Sequence, residues 1–243
     1  MTSNPLSPNL LLASLVMADL APMQVLLERV ELRRDTMLFE AGDTLRHVHF
    51  PISAVVSLTS SMQDGASTEI AVVGNEGVVG VCAFMGGGRS LSGAIVQRAG
   101  SAWRLSARDV IDAASRMGSL MPAMLRYTQV LLAQIAQTSA CGRHHALEQQ
   151  LCRWLLQYQD RTPGADLLMT QERIALMLGV RREGVTANAL KLRNAGLIRY
   201  GRGRISILDR AGLEHRSCEC YGVLKGALDR LQPPSRPISC RIP

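Results

Sequence analysis

One stretch of the sequence, residues 170–198, constrains the fold more than any other. Its apolar residues recur at a spacing that lets two crossing helices share a small core. These residues are Ile174, Leu178, Val180 and Val185. Thr170 suits the N-cap of the first helix, and Gly179 suits a turn that needs a left-handed backbone. The stretch therefore predicts two short helices joined by a tight turn, with two arginines and a glutamate opening the second helix.

A strand–turn–strand pattern follows in residues 199–207, with glycines in the turn and arginines at its tip. A helix pair followed by such a hairpin is typical of a winged helix-turn-helix, which places the start of its second helix in the major groove of DNA. The helix pair alone would also fit a surface αα-hairpin with a solvated charged end. The hairpin favours the DNA-binding interpretation.

The charge distribution points to the same partner. The chain has a net charge of +7, but residues 1–140 carry 10 arginines and 11 acidic residues, a net charge of −1. Residues 141–243 carry 17 lysines and arginines and 9 acidic residues, a net charge of +8. A basic C-terminal part joined to a neutral N-terminal part is typical of nucleic-acid binding rather than of membrane attraction.

Targeting signals are not evident. No apolar run reaches the ~18 residues of a membrane span, and the first residues lack the basic and apolar segments of a secretory signal. We therefore expect a cytoplasmic protein without a membrane partner, whose six cysteines are mostly reduced.

The region from Val30 to Leu105 consists of short β-like runs separated by glycine-containing turns. The candidate strands are residues 37–39, 48–50, 54–59, 68–73, 93–97 and 102–105. Short helices are expected before this region, within Leu10–Leu32, and after it, from Ser106 to Ser115. Strands this short predict an antiparallel barrel or jelly roll, filled either by a small ligand or by its own side chains.

A longer helix is predicted from Pro122 to about Ala140, followed by a hinge at Cys141-Gly142-Arg143. One of its faces has the alternating spacing of three and four residues that marks a coiled-coil seam. The predicted dimerisation residues are Met121, Met124, Thr128, Leu131 and Ile135. The same spacing fits a helix buried within a monomer. A symmetric DNA site, however, is bound by two DNA-binding domains, which favours dimerisation.

The order of barrel, long helix, hinge, helix-turn-helix and wing resembles that of the Crp/Fnr family of bacterial transcription regulators. The motifs that carry the resemblance are Thr170–Ala175, Gly179–Thr186, Gly196–Ile198, Leu38–Asp43 and Gly74–Gly80. The resemblance implies an α+β chain in four segments. These are a cyclic-nucleotide-binding-like β jelly-roll or barrel sensor domain in residues 1–118, a dimerisation helix and hinge in 119–141, a winged helix-turn-helix domain in 142–231, and a disordered tail in 232–243.

The resemblance also implies DNA contacts. Family members read bases from the start of the second motif helix, which assigns Arg182 and Glu183 to base contacts. Arg182 can pair with guanine O6 and N7, and Glu183 can accept from cytosine N4. The predicted phosphate contacts are Arg181, Thr186, Arg202 and Arg204. Ala187 and Asn188 stand where the family commonly has an arginine and an inward apolar residue, so we expect a different sequence preference.

The barrel residues disfavour a cyclic nucleotide. Relatives that bind one have a glutamate after the mid-barrel glycine, whereas Val81 follows Gly80 in this chain. Arg89 and Ser90 offer the chemistry to bind a phosphate, but they fall two residues from the family's phosphate-binding pair. We therefore predict no cofactor and keep Arg89 and Ser90 as candidate ligand contacts.

Metal ligands are not predicted, because no group of residues shows a full ligand set. An N-terminal iron–sulfur centre, as in the oxygen-sensing branch of the family, does not fit, since no cysteine precedes Cys82. Three groups remain open as metal or redox sites. They are His47 with His49, His215 with Cys218 and Cys220, and Cys141 with His144 and His145.

These inferences predict a DNA-binding transcriptional regulator that acts as a homodimer on a two-fold-symmetric operator and responds to a signal at the barrel. Its expected partners are double-stranded DNA, a second copy of itself and RNA polymerase. The alternative is a small-molecule or redox sensor that acts through a protein partner and binds nucleic acid non-specifically. We do not expect an enzyme, because Gly88–Ser92 lacks the closing glycine of a nucleophile elbow and no HExxH motif occurs.

Overall fold

The computed structural model describes residues 6, 8–86, 88–116, 118–162, 164, 166–201 and 203–231. The predicted tail at 232–243 lies outside the described residues, as does Arg202. None of the helices in these ranges is long and apolar enough to cross a membrane.

Seven strands build the N-terminal domain, called the barrel here. They are β1 (Glu28–Leu32), β2 (Met37–Phe39), β3 (His47–Pro51), β4 (Val55–Ser61), β5 (Ser67–Val73), β6 (Gly93–Arg98) and β7 (Gly100–Ser106). They pair antiparallel in two sheets, with the strand orders β1-β7-β3 and β2-β6-β4-β5. The accompanying helices are α1 (Leu10–Ala13), α2 (Met17–Gln24) and α3 (Ala107–Ala114), with a single 3₁₀ turn at Val81–Ala83. The predicted β domain is confirmed.

Strand β1 was expected to belong to the preceding helical region. Its side chains are mostly exposed and charged, and Leu32 is the one residue of the strand that is buried. It is held instead by backbone pairing with β7, from Glu28 opposite Arg104 to Leu32 opposite Gly100. A strand that is held mainly by backbone hydrogen bonds to its neighbour need not alternate apolar and polar residues in its own sequence.

The interior of the barrel is filled by its own side chains. Val48, Phe50, Val56 and Val96 are each 0 % exposed and belong to one continuous apolar core. Of the two interpretations of the barrel interior, this packing supports the self-filled one.

The long helix α4 spans Leu120–His144, which corrects the predicted hinge at Cys141-Gly142-Arg143. The helix continues through this segment and ends at His145, whose backbone is extended (φ −111°, ψ 148°). Cys141 is fully buried and keeps the last turn packed, so Gly142 does not break the helix. An isolated glycine within a helix weakens it by less than such packing strengthens it.

The predicted dimerisation seam faces the barrel of its own chain. Met124, Thr128 and Leu131 are 0 %, 5 % and 4 % exposed and, apart from the hydroxyl-bearing Thr128, belong to the barrel core. Met121 and Ile135 are half-buried and pack against the same core. Met124, Thr128 and Leu131 are therefore covered by their own chain, whereas Met121 and Ile135 keep part of their surface in solvent.

A second stripe on α4 begins one residue later and is exposed. It has the same alternating spacing, and Leu125 and Leu132 in it are 53 % and 57 % exposed. Its members are Pro122, Leu125, Gln129, Leu132, Ala136 and Ser139. We call this set the exposed stripe. The helix therefore has two seam-like faces, and the barrel covers one of them.

The C-terminal domain follows α4. Its helices are α5 (Leu147–Arg161), α6 (Gln171–Leu178), α7 (Arg182–Asn194), α8 (Arg210–Arg216) and α9 (Cys220–Asp229). The short strand β8 (Leu167–Leu168) pairs with β10 (Arg204–Ile207), which also pairs with β9 (Ile198–Gly201). Trp154, Leu155, Ile174, Leu192 and Leu213 form the centre of its core. The predicted helix pair and hairpin are confirmed.

A buried carboxylate joins the two domains. Glu69 of β5 accepts hydrogen bonds from Trp154 Nε1 (2.9 Å) and Tyr158 Oη (2.6 Å) on α5, and from Ser57 Oγ on β4. Burial raises the pKa of Glu69, and the donated hydrogen bonds oppose this rise. The three donors therefore compensate a polar group that the domain interface has removed from water.

Replacement of Tyr158 by phenylalanine tests this network. The Tyr158→Phe variant loses one hydrogen bond to a buried acid, so we expect the free energy of unfolding to fall by about 2 kcal/mol. In a Glu69→Gln background the same change should have a smaller effect, because the amide has one oxygen acceptor where the carboxyl group has two. Urea unfolding of the four proteins measures the coupling. Equal effects in both backgrounds would show that the two side chains act independently.

Candidate nucleic-acid interface

The turn between α6 and α7 is built as the sequence predicts. Thr170 is the N-cap of α6, and its hydroxyl oxygen accepts a hydrogen bond from Arg173 N at 3.2 Å. Gly179 ends the helix with a left-handed backbone (φ 66°), and Val180 N then donates to Ala175 O at 3.0 Å. This helix end is the kind that glycine favours, and it sets the angle at which α7 leaves.

One face of α7 is buried and fixes the helix on the domain. Val185, Ala189 and Leu192 are 0 %, 4 % and 0 % exposed and pack in the same core as Ile174 of α6. The helix-turn-helix core is therefore shared by both helices, and the opposite face of α7 is left to solvent.

Three of the predicted DNA contacts lie at the exposed start of α7. Arg181 is the N-cap residue, Arg182 and Glu183 form the first turn, and all three are exposed. The partial positive charge of a helix N-terminus adds to that of the two guanidinium groups. Phosphate oxygens and guanine acceptors are the groups that such a surface favours.

The hydroxyl of Thr186 is already engaged. It lies 2.7 Å from Gln171 Oε1 and 3.0 Å from Arg182 O, and its single proton can serve either acceptor. Thr186 therefore links α7 to the start of α6, a contact that no local pattern in the sequence reveals because Gln171 is 15 residues away.

The two departures from the family pattern have different consequences. Asn188 is half-buried, and its Nδ2 donates to Gly184 O at 2.9 Å, so its own helix satisfies the amide. Ala187 is exposed and offers a methyl group in place of a guanidinium. One hydrogen-bonding group is therefore missing from the exposed face of α7.

The wing carries a paired arginine. Arg204 at the start of β10 lies 3.1 Å from Asp166 Oδ2. A hydrogen bond from Ser206 and the charge of Arg204 hold the pKa of Asp166 below its ordinary value. The Arg204 side chain is 59 % exposed, so its donors remain accessible from solvent. The other predicted wing residue, Arg202, lies outside the described residues.

The barrel contacts α6 directly through hydrogen bonds and an ion pair. Thr68 Oγ1 donates to Met177 O at 3.0 Å. The Arg173 guanidinium pairs with Asp35 at 2.7 Å and donates to Gln97 Oε1 at 3.0 Å. These contacts join residues 76 or more positions apart, and such pairs leave no local pattern in a sequence. The first helix of the helix-turn-helix is therefore tied to the sensor-like domain.

Arg89 and Ser90 differ in exposure. Arg89 is exposed. Ser90 is buried, and its hydroxyl donates to Ser92 O at 2.6 Å within its own turn. The two side chains therefore face different surroundings, and the serine already has a partner.

His47 and His49 also differ. His49 is 8 % exposed, and burial together with the nearby His47 and Arg104 lowers its pKa to about 4. The nearby Arg104 guanidinium is cationic, which disfavours a bound metal ion at this strand.

Two family models match the chain. The cyclic nucleotide-binding domain model matches residues 29–116, and the Crp-like helix-turn-helix domain model matches residues 149–216. Together they cover more than half of the sequence. A search of curated proteins finds no match.

Solved structures share the fold. FixK2 from Bradyrhizobium japonicum has a TM-score of 0.69 and 16 % identity, covering 79 % of this chain and 98 % of its own. A proposed transcriptional regulator of the Crp/Fnr family from Eubacterium rectale has a TM-score of 0.68 and 16 % identity, with coverages of 86 % and 98 %. The c-di-GMP responsive global regulator CLP of Xanthomonas campestris has a TM-score of 0.61 and 15 % identity, with coverages of 79 % and 99 %.

Substitution of Gly179 tests the turn that orients α7. An alanine at this position would have to keep the left-handed backbone of Gly179. Its Cβ would also lie 3.1 Å from Thr68 Oγ1. We expect Gly179→Ala to lower the free energy of unfolding by about 1–2 kcal/mol. The matched control is Gly142→Ala in α4, where a Cβ meets open space and alanine should stabilise the helix by up to about 1 kcal/mol. Thermal unfolding measures both, and a change of the same sign in both variants would contradict the turn geometry.

Proposed function

Because the chain belongs to the Crp/Fnr family of transcription regulators, we propose that it binds a two-fold-symmetric DNA operator as a homodimer. The observation that carries the proposal is the exposed start of α7, where Arg181, Arg182 and Glu183 stand on a helix fixed by a buried core. A basic C-terminal domain supplies the attraction to phosphate. RNA polymerase is the proposed protein partner.

The residues at this surface have separate proposed roles. Arg182 and Glu183 read bases, because a guanidinium pairs with guanine and a carboxylate accepts from cytosine. Arg181, Arg202 and Arg204 hold phosphates and set the register of the helix on the duplex. Thr186 joins them when its hydroxyl turns from Gln171 to a phosphate oxygen.

The proposed dimer uses the exposed stripe of α4 rather than the seam that the barrel covers. Two leucines more than half exposed, together with Pro122 and Ala136, provide an apolar strip along a 25-residue helix. Knobs-into-holes packing of two such helices buries the strip. Paired in this way, two copies would present two α7 helices to half-sites about 34 Å apart.

Control of DNA binding is proposed to pass through the contact between the barrel and α6. Arg173 is the central residue, since it bonds to both Asp35 and Gln97 of the barrel while belonging to the helix-turn-helix. A signal that changes the barrel at this surface would alter the position of α6 and with it α7. The related CLP is described as c-di-GMP responsive. The exposed Arg89 and internally bonded Ser90 give no support to a nucleotide at that pair.

Base reading is tested by selecting bound sequences from a random DNA pool at near-physiological salt. We expect a palindrome with half-sites about one helical turn apart. Arg182→Ala should relax selection at one position of each half-site, at a cost of about 1–3 kcal/mol there. Arg181→Ala should weaken binding to all sequences alike and reduce the salt slope of the dimer by about two, since each protomer loses one phosphate contact.

Arg108→Ala is the charge-matched control for these variants. Arg108 lies on α3 of the barrel with a side chain 90 % exposed, so its loss should leave DNA selection unchanged. If Arg182→Ala selected the same sequences as the wild type, α7 would not be the base-reading helix.

The dimer is tested by placing a charge in the exposed stripe. Leu132→Glu should yield monomers in sedimentation velocity, because it would put two like charges into an apolar seam. The control is Leu91→Glu on the barrel, where the leucine is 89 % exposed, and it should keep the assembly state of the wild type. A Leu132→Glu protein that sediments like the wild type would place the dimer contact elsewhere.

A further inference from the structure

Three buried cysteines form a cluster outside both domain cores. Cys141 in the last turn of α4 and Cys218 and Cys220 at the start of α9 are 0 %, 3 % and 0 % exposed, and they pack on one another. Cys152, by contrast, is buried among the aliphatic and aromatic side chains of the C-terminal core. A cysteine that only fills space in a core is surrounded by apolar side chains, as Cys152 is. The separate cluster therefore needs another explanation.

His145 completes a set of four ligand atoms. One ring nitrogen and the three sulfurs all lie within 4.8 Å of one another. Cys141 Sγ is 3.5 Å from Cys218 Sγ, and Cys220 Sγ is 3.4 Å from His145 Nδ1. In a tetrahedral zinc site, bonds of about 2.3 Å to sulfur and about 2.0 Å to nitrogen separate two sulfurs by about 3.8 Å, and sulfur from nitrogen by about 3.5 Å. The four atoms are already close to the arrangement that one ion requires.

Local structure brings each pair of ligands together. Cys141 and His145 are four residues apart at the end of α4, which places them on one side of the helix, and His145 N donates to Cys141 O at 3.1 Å. Cys218 and Cys220 flank Glu219, the N-cap residue of α9. Tertiary packing of α9 on α4 then joins the two pairs.

The surroundings of the cluster also suit a metal. His145 Nε2 lies 3.2 Å from Glu219 Oε1, which leaves Nδ1 free to face the sulfurs. A metal-bound histidine commonly donates its other N–H to a carboxylate in this way. Gln137 Nε2 donates to Cys220 Sγ at 3.0 Å. Burial raises the pKa of the Cys141 thiol, and the positive charge of Arg153, which is 4 % exposed, opposes that rise. A nearby buried cation offsets the negative charge of a three-thiolate site.

We propose that Cys141, His145, Cys218 and Cys220 bind one Zn²⁺ ion in a closed, structural four-ligand site. Three thiolates and one imidazole are donors that zinc prefers, and four protein ligands leave no position for a substrate. Binding releases the protons of the three thiols to solvent. A polynuclear iron–sulfur cluster fits less well, because it bonds its cysteines to different iron atoms and holds them further apart.

The ion's place in the fold gives it a mechanical role. It joins the end of α4 to the start of α9 beside His145 and Ala146, where the chain turns into α5. This cross-link holds the C-terminal domain to the long helix at the point where the sequence analysis placed a hinge.

The test begins with the full chain purified under reducing conditions. Elemental analysis should find about one zinc per chain, and the metal-free protein should bind Co²⁺ with the visible spectrum of tetrahedral, thiolate-ligated cobalt. Cys218→Ser should lose stoichiometric binding. His145→Asn should bind at least tenfold more weakly and with an altered spectrum.

Two matched variants keep all four ligands. His144→Asn removes the exposed histidine next to His145, and Cys82→Ser removes a thiol outside the cluster, so both should bind Co²⁺ like the wild type. Glu219→Gln should retain the cobalt spectrum and weaken affinity by about 10–100-fold, because Glu219 acts through His145.

The proposal is overturned if the reduced wild-type chain binds neither Zn²⁺ nor Co²⁺ stoichiometrically. That result is expected if Cys141 and Cys218 instead form a dithiol pair that binds no metal. It is also overturned if His144→Asn impairs binding as much as His145→Asn. Circular dichroism reports whether each variant folds. Should a ligand variant unfold, the cobalt spectrum of the wild type decides, since octahedral or sulfur-free coordination would exclude the site.

Discussion

The double role of helix α4 is the constraint on which the rest of the structure depends. Its inner face, with Met124 and Leu131, fills the open side of the barrel core. Its outer face keeps Leu125 and Leu132 in water. Exposed leucines that line up along one helix face favour a partner that covers them. The barrel covers one face, and the proposed dimer covers the other.

The two domains are also joined through polar groups whose burial demands partners. Glu69 lies between the barrel and α5, and its carboxyl group accepts hydrogen bonds from Ser57, Trp154 and Tyr158. Loss of any one donor leaves the acid less well satisfied in a medium of low dielectric. Such a contact tolerates small displacements poorly, so movement of the barrel is expected to reach the C-terminal domain. The neighbouring contacts of Arg173 extend the same interface to the helix that positions α7.

Features encoded within a few residues could be predicted. Thr170 as an N-cap, Gly179 as a left-handed turn and the glycine-containing wing follow from backbone preferences that act over one helical turn or one hairpin. Six of the seven barrel strands follow from short β-like runs between turns. Strand β1 could not be found in this way, because its pairing with β7 rather than its own side chains holds it. The long helix was found, but its end was not, since burial of Cys141 outweighs the glycine that follows it.

The sequence by itself determined the order of domains, the helix-turn-helix and the exposed start of α7, because each rests on local periodicity, capping or charge. The tertiary structure decided which of two seam-like faces of α4 meets the barrel. Both faces have the same spacing of residues, and one is offset from the other by a single position along the helix. It also decided that Cys141 and His145 meet Cys218 and Cys220 across more than 70 positions. Neither pair forms a ligand set alone. Packing of α9 on α4 completes it, and no spacing rule along the chain encodes that packing.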